Sequence, residues 1–111
     1  MKIAVTYENG QVFQHFGHTE QFKVYNVENG AVTASAVEPT NGSGHGALAG
    51  FLKGLGVDTL ICGGIGGGAI AALGEAGITL YGGVSGDADA AVEALLAGNL
   101  ARNVEPTCHH H

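Results

Sequence analysis

A single mixed α/β domain is the fold class this sequence predicts, and three observations carry it. Asn29-Gly30 sits between two β-prone runs, the strongest short-range hairpin signal available to a chain. From residue 47 onward, short apolar strand-like runs alternate with helical spacing, the pattern of strands joined by crossover helices. At 111 residues, with no composition shift marking a linker, the chain suits one domain with a core of its own. That domain is expected to span residues 1–103, with residues 104–111 as a C-terminal tail.

The elements follow in order. Residues 2–7 place β-branched Ile3, Val5 and Thr6 in a buried first strand. Residues 8–19 read as a loop containing Gly10, His15, Gly17 and His18. Residues 21–27 form an imperfect strand that sets Phe22, Val24 and Asn26 against Lys23, Tyr25 and Val27, and residues 31–38 return after the hairpin. Residues 39–46, rich in glycine, are a second loop. A helix over 47–55 carries Leu48, Phe51, Leu52 and Leu55 on one face and ends at Gly56. A strand over 59–62, a helix over 68–76 and a strand over 78–81 come next. The last helix spans 87–97, with Asp87 as N-cap, Asp89 in the first turn and Gly98 as the stop.

Charge narrows the function. Four Lys plus Arg against ten Asp plus Glu give a net charge of −6, and Lys2, Lys23, Lys53 and Arg102 are scattered. No basic stripe exists to displace counterions, so nucleic acid is not an expected partner. Residues 3–7 are too short for a signal-peptide core, and nothing approaches a membrane span. The expected compartment is the cytoplasm. Cys62 and Cys108 do not form a disulfide framework and read as thiols.

Right-handed crossovers make the strands at 59 and 78 parallel to their neighbours, with helices on both faces of the sheet. The loops following residues 7, 38, 62 and 81 then share one edge, the edge where open α/β sheets bind ligands. That edge gathers the chain's chemistry. The run Cys62-Gly63-Gly64-Ile65-Gly66-Gly67-Gly68 leads from strand to helix, so backbone N–H groups and a helix dipole make an anion cradle. Glycine there admits positive φ and the close approach of a ligand. The same glycines also suit a tight turn that packs helix on strand.

Metal-ligand candidates surround the cradle. His15 and His18 flank Phe16-Gly17 in the first loop, and His45 stands in the second. Cys62, at the lip of the cradle, would be a soft ligand favoured by the helix dipole. Cys108 precedes three terminal histidines, a metal-binding composition that an expression-tag remnant would also produce. Each residue has a plainer reading: solvated histidines and a small buried cysteine. Gly64-x-Gly66-x-x-Ala69 has the outline of a dinucleotide fingerprint. It lies late in the chain, and no acid ends the next strand to hold a ribose. No P-loop lysine and no nucleophile–base pair is evident, so the chain offers holders and no catalyst.

Met-Lys-Ile-Ala-Val at the start, Gln14-His15-Phe16-Gly17-His18 followed by Phe22, and Cys62-Gly63-Gly64-Ile65-Gly66 before an alanine-rich helix resemble the dinitrogenase iron-molybdenum cofactor biosynthesis family. That group includes NifX-like proteins, the C-terminal domain of NifB and the small molybdenum-copper orange proteins. The resemblance implies a ribonuclease H-like three-layer α/β fold, its five-stranded mixed sheet having the second strand antiparallel. It also implies a non-enzymatic role in binding or ferrying an anionic metal-sulfur cluster, iron-sulfur or molybdenum-containing, with cluster-donor or acceptor proteins as partners. His15, Phe16, Gly17, Gly64 and Gly66 match the family motifs. Gly63 and Gly67 as cradle residues, and His18, His45, Cys62 and Cys108 as ligands, come from the residues alone. Two other classes stay open: an enzyme or sensor binding a nucleotide or small anion in the Gly63–Gly68 cradle, and an interaction module whose histidines hold no metal.

Overall fold

The computed structural model describes residues 1–40 and 45–100, the side chains of residues 45 and 46 excepted. The strands are β1 (Lys2–Glu8), β2 (Gln11–Val12), β3 (Gln21–Glu28), β4 (Ala31–Pro39), β5 (Thr59–Ile61) and β6 (Thr79–Tyr81). The helices are α1 (His45–Gly54), α2 (Gly67–Glu75) and α3 (Ala88–Leu96), with a 3-10 turn at Phe16–His18. The sheet runs β4-β3-β1-β5-β6. β1 is its centre, antiparallel to β3 through Ala4↔Val24 and parallel to β5 through Ala4↔Leu60. β5 and β6 are parallel in turn.

This mixed sheet has six strands, not the five that the resemblance implied, because β2 pairs with β1 outside the main path. The reason lies in Asn9-Gly10, both at positive φ (51° and 83°), the backbone that a tight hairpin turn requires. Asn29-Gly30 repeats the same conformation at 53° and 77° between β3 and β4.

Alternation along β1 sorts the core into two layers. Ala4 faces α1 and α2 in a cluster with Phe22, Val24, Leu60, Leu80, Leu48, Leu52 and Leu73. Ile3 and Val5 face α3 together with Tyr25, Val27, Ile61, Ala91 and Val92. Full burial of each large aliphatic side chain contributes about 1.5–3 kcal/mol before the entropy of ordering it. Asn26, expected beside Phe22 and Val24, is instead exposed where the β3–β4 register shifts. β4 lies at the sheet's edge, and Val32 and Val37 on it are exposed.

Helix ends follow local chemistry. Asp87 Oδ2 accepts from the Ala90 N–H at 2.8 Å, capping α3. α2 has no such side chain, since its N-cap is Gly66. Among the described residues no helix is long and apolar enough to cross a membrane.

Candidate functional site

β1, β5 and β6 are parallel, so the loops after them share one edge of the sheet. Backbone bonds sew these loops together. The Gly64 N–H donates to the Gln14 carbonyl at 2.7 Å, and the Phe16 N–H donates to the Gly64 carbonyl at 3.0 Å. This short parallel bridge sets His15 beside Gly64. On the other side, the Gly83 N–H donates to the Gly63 carbonyl at 2.9 Å and the Val84 N–H to the Cys62 carbonyl at 3.0 Å. The Val12 N–H reaches the Gly86 carbonyl at 2.8 Å, closing the ring of loops.

Within the first loop, the 3-10 turn decides what faces outward. Residues three apart eclipse in such a turn, so His15, its N-cap, and His18, its last residue, fall on one side. Their rings stand 6.5 Å apart at 74°, and both are exposed. Phe16 turns the other way. Its side chain is 1% exposed, packed against Phe22 with ring centroids 6.1 Å apart. Phe16 therefore anchors the turn from below, its ring in the core and not at the rim beside the two imidazoles. Gly17 lies inside the turn, between the buried ring and His18.

The cradle also differs from expectation in detail. None of Gly63, Gly64, Gly66, Gly67 and Gly68 has positive φ, so left-handed backbone is not why glycine stands there. At Gly63 the reason is a close approach: a Cβ would lie 2.7 Å from the Gln14 Cα. At Gly66 and Gly68 a Cβ would meet nothing within 4 Å, so the space above the start of α2 is open. The first helical bond there runs from the Ile70 N–H to the Gly66 carbonyl at 3.1 Å. The N–H groups of Gly67, Gly68 and Ala69 therefore have no acceptor within the helix. The N-cap, Gly66, has no side chain to cap them, and among the described residues no other side chain bonds them. The result is a patch of partial positive charge facing open space.

Cys62 follows the plainer of its two readings, the small buried cysteine, and not the ligand at the lip. Its side chain is 0% exposed and belongs to the core layer under α1 and α2. Leu60 and Cys62 share a face of β5 by alternation, so the thiol points into the core and not toward the lip of the cradle. His45 opens α1, which packs on the Phe16–His18 turn, and its side chain falls outside the described atoms. Cys108 and the terminal histidines lie outside the described residues. Among the described residues, no three His, Cys, Asp or Glu side chains converge as a metal-holding group.

Among the described residues, basic side chains do not supply the positive charge at this edge. Lys2 Nζ donates to the Leu55 carbonyl at 2.6 Å, Lys53 lies in the last turn of α1, and Lys23 pairs with Asp89. Of the described groups, the backbone N–H groups at the start of α2 are the ones suited to meet an anion. Sequence reasoning places the loop after residue 81 at this edge but assigns no role to Gly82-Gly83 and Gly86 within it. It also left Gln14 without a role, and no short-range pattern announces a bond from Gln14 to Val84, 70 residues away.

The model of the dinitrogenase iron-molybdenum cofactor family matches residues 1–98, which covers both motif loops and all three helices. The chain belongs to that family. Among relatives, an uncharacterised Methanocaldococcus jannaschii protein is 30% identical over 107 residues, covering 92% of this chain and 91% of its own. The crystal structure of PH0822 superposes with a TM-score of 0.86 at 28% identity, over 93% of this chain and 95% of that one. The apo orange protein of Desulfovibrio gigas superposes at 0.83 and 28% identity, over 96% and 95%. In this member of the dinitrogenase cofactor family, Gly64 bonds the loop after β5 to the Gln14–His18 loop.

Proposed function

We propose that this protein is a non-enzymatic carrier or scaffold for an anionic metal-sulfur cluster, iron-sulfur or molybdenum-containing, working in the cytoplasm with cluster-donor or acceptor proteins. The observation that carries the reading is the uncapped, open start of α2 beside two exposed imidazoles, in a chain of the dinitrogenase cofactor family. A thiometallate cluster is large, soft and anionic. The N–H groups of Gly67, Gly68 and Ala69 would take up its charge without a fixed lysine, and His15 and His18 would each supply a borderline ligand to one edge. Two ligands are fewer than a resident metal ion would need, so the cargo is held loosely enough to be passed on. His45 and Cys108 are additional ligand candidates.

Anaerobic titration of the apo protein with thiomolybdate, and separately with an iron-sulfur cluster, tests this reading. The expected result is a new visible charge-transfer band and metal retained through desalting. No band and no retained metal would overturn it. A nucleotide that raised the melting temperature in the same preparation would favour the enzyme or sensor class instead. Ligand at about 100 times its Kd stabilises by roughly 2.7 kcal/mol, so that comparison is sensitive.

A further inference from the structure

Backbone bonds tie most of the rim together, and the Gln14 side chain adds a tie between the first loop and the loop after β6. Gln14 Nε2 donates to the Val12 carbonyl at 3.0 Å and to the Val84 carbonyl at 3.1 Å. A terminal amide nitrogen carries two hydrogens, so both are in use. The backbone carbonyl of the same residue accepts the Gly64 N–H at 2.7 Å. Its Cα and amide oxygen lie over Gly63, where an added Cβ would meet them at 2.7 and 2.8 Å. One residue thus touches its own loop, the cradle and the loop between β6 and α3.

We propose that Gln14 is the positioning residue of this site: its neutral amide cross-ties the Val84 loop to the His15 turn and so fixes where His15 stands relative to the start of α2. The inference rests on the cluster-binding reading above. The chemistry favours glutamine on two counts. Both acceptors are carbonyl oxygens, so the group between them must donate twice, which a carboxylate cannot do. A carboxylate would also add negative charge to an edge where, among the described residues, backbone dipoles are the positive groups facing the open space. Gly63 completes the arrangement, since only a residue without Cβ lets Gln14 lie this close.

The test compares the full-length protein with its Gln14→Glu and Gln14→Met variants. Gln14→Met keeps the length and removes the donors without adding charge. Retention of thiomolybdate is read by anaerobic equilibrium dialysis, and amide hydrogen exchange is read at Gly83 and Val84 against β1 and β5. Both variants should weaken retention about tenfold, equivalent to about 1.4 kcal/mol. Exchange should speed up at Gly83 and Val84 while β1 and β5 stay protected. In Gln14→Glu the slow exchange should return as acidification protonates the carboxyl group and restores one donor, whereas Gln14→Met should show no such recovery.

The failures separate cleanly. If the wild type retains no thiomolybdate, the cluster-binding reading fails, and the exchange data alone decide whether the tie exists. If the wild type binds and both variants bind as well, Gln14 does not position the site. Faster exchange spread across β1 and β5 would make it an ordinary stabilising residue and overturn the proposal equally.

Discussion

The hydroxyl of Tyr25 on β3 donates to Asp89 Oδ1 in the first turn of α3, the same oxygen that Lys23 Nζ reaches at 2.9 Å. The arrangement pins the helix to the sheet on the face away from α1 and α2. Burial raises the Tyr25 phenol well above its ordinary value, and its bond to Asp89 adds to the shift. The hydrogen bond from Tyr25, and then that from Lys23, hold the Asp89 carboxyl below the usual carboxylate range.

Those shifts set a pH window. A raised Tyr25 contributes stability fully below about pH 10 and loses it as pH climbs beyond, while a depressed Asp89 contributes above about pH 4 and loses it on acidification. This cluster's contribution to the melting temperature should therefore fall away below about pH 4 and above about pH 10. Tyr25→Phe should lower stability by about 1 kcal/mol, roughly 4–8 °C for a domain of this size, and blunt the alkaline fall. Thermal melts from pH 3 to 11 check both effects. An alkaline limb as steep in Tyr25→Phe as in the wild type would show that another group drives it.

Gly63→Ala should be the most damaging single change in the cradle. The new methyl would sit 2.7 Å from the Gln14 Cα and 2.8 Å from its amide oxygen. Backbone is on both sides of that contact, so the loops must part, and overpacking of this kind costs about 1–3 kcal/mol. Gly68→Ala should cost far less, since its methyl enters open space. Urea denaturation of the two variants measures the difference, and equal midpoints would contradict the contact.

How far the sequence disclosed this architecture depends on the range of the interaction involved. The β-branched run of β1, the imperfect alternation of β3 and the Asn29-Gly30 turn before β4 disclosed these three strands, because each signal lies within a few residues. Asn9-Gly10 is the same dipeptide in the same conformation, yet β2 is only two residues long and leaves almost no alternation to accompany it. Leu60, an obvious core residue two positions earlier, supports the buried reading of Cys62. The glycines that follow it fit a ligand at a cradle as well, so local pattern leaves both readings open. Phe16 between two histidines hides its burial in the same way. The tie from Gln14 to Val84 depends on tertiary folding and has no local signature at all.

Gly66→Val should separate cargo binding from folding. Gly66 is the N-cap of α2 in extended backbone, φ −87° and ψ 163°, a conformation valine adopts readily. Its Cβ would meet nothing within 4 Å, so the fold should tolerate it apart from a modest loss of N-cap preference, about 1 kcal/mol or less. The branched side chain would fill the space over the N–H groups of Gly67 and Gly68. Thiomolybdate retention, measured by metal analysis after anaerobic desalting, should drop at least tenfold while the melting temperature moves by only a few degrees. Unchanged retention would place the cargo away from this helix.

His15→Ala and removal of residues 108–111 distinguish the two places where a cluster could be held. His15 is exposed, its ring 6.1 Å from that of Phe13, and a surface imidazole of this kind adds little to stability, within about 0.5 kcal/mol. Its replacement should weaken retention of thiomolybdate and blue-shift or diminish the charge-transfer band, with His15→Ala/His18→Ala weaker still because both imidazoles leave the same side of the turn. The truncated protein, lacking Cys108 and the terminal histidines, should keep most of its binding if the edge beside Gly64 is the primary site. The opposite pattern, in which truncation abolishes the band and His15→Ala leaves it intact, would assign the cargo to the tail. The rim of loops would then be a structural feature whose glycines serve close packing alone.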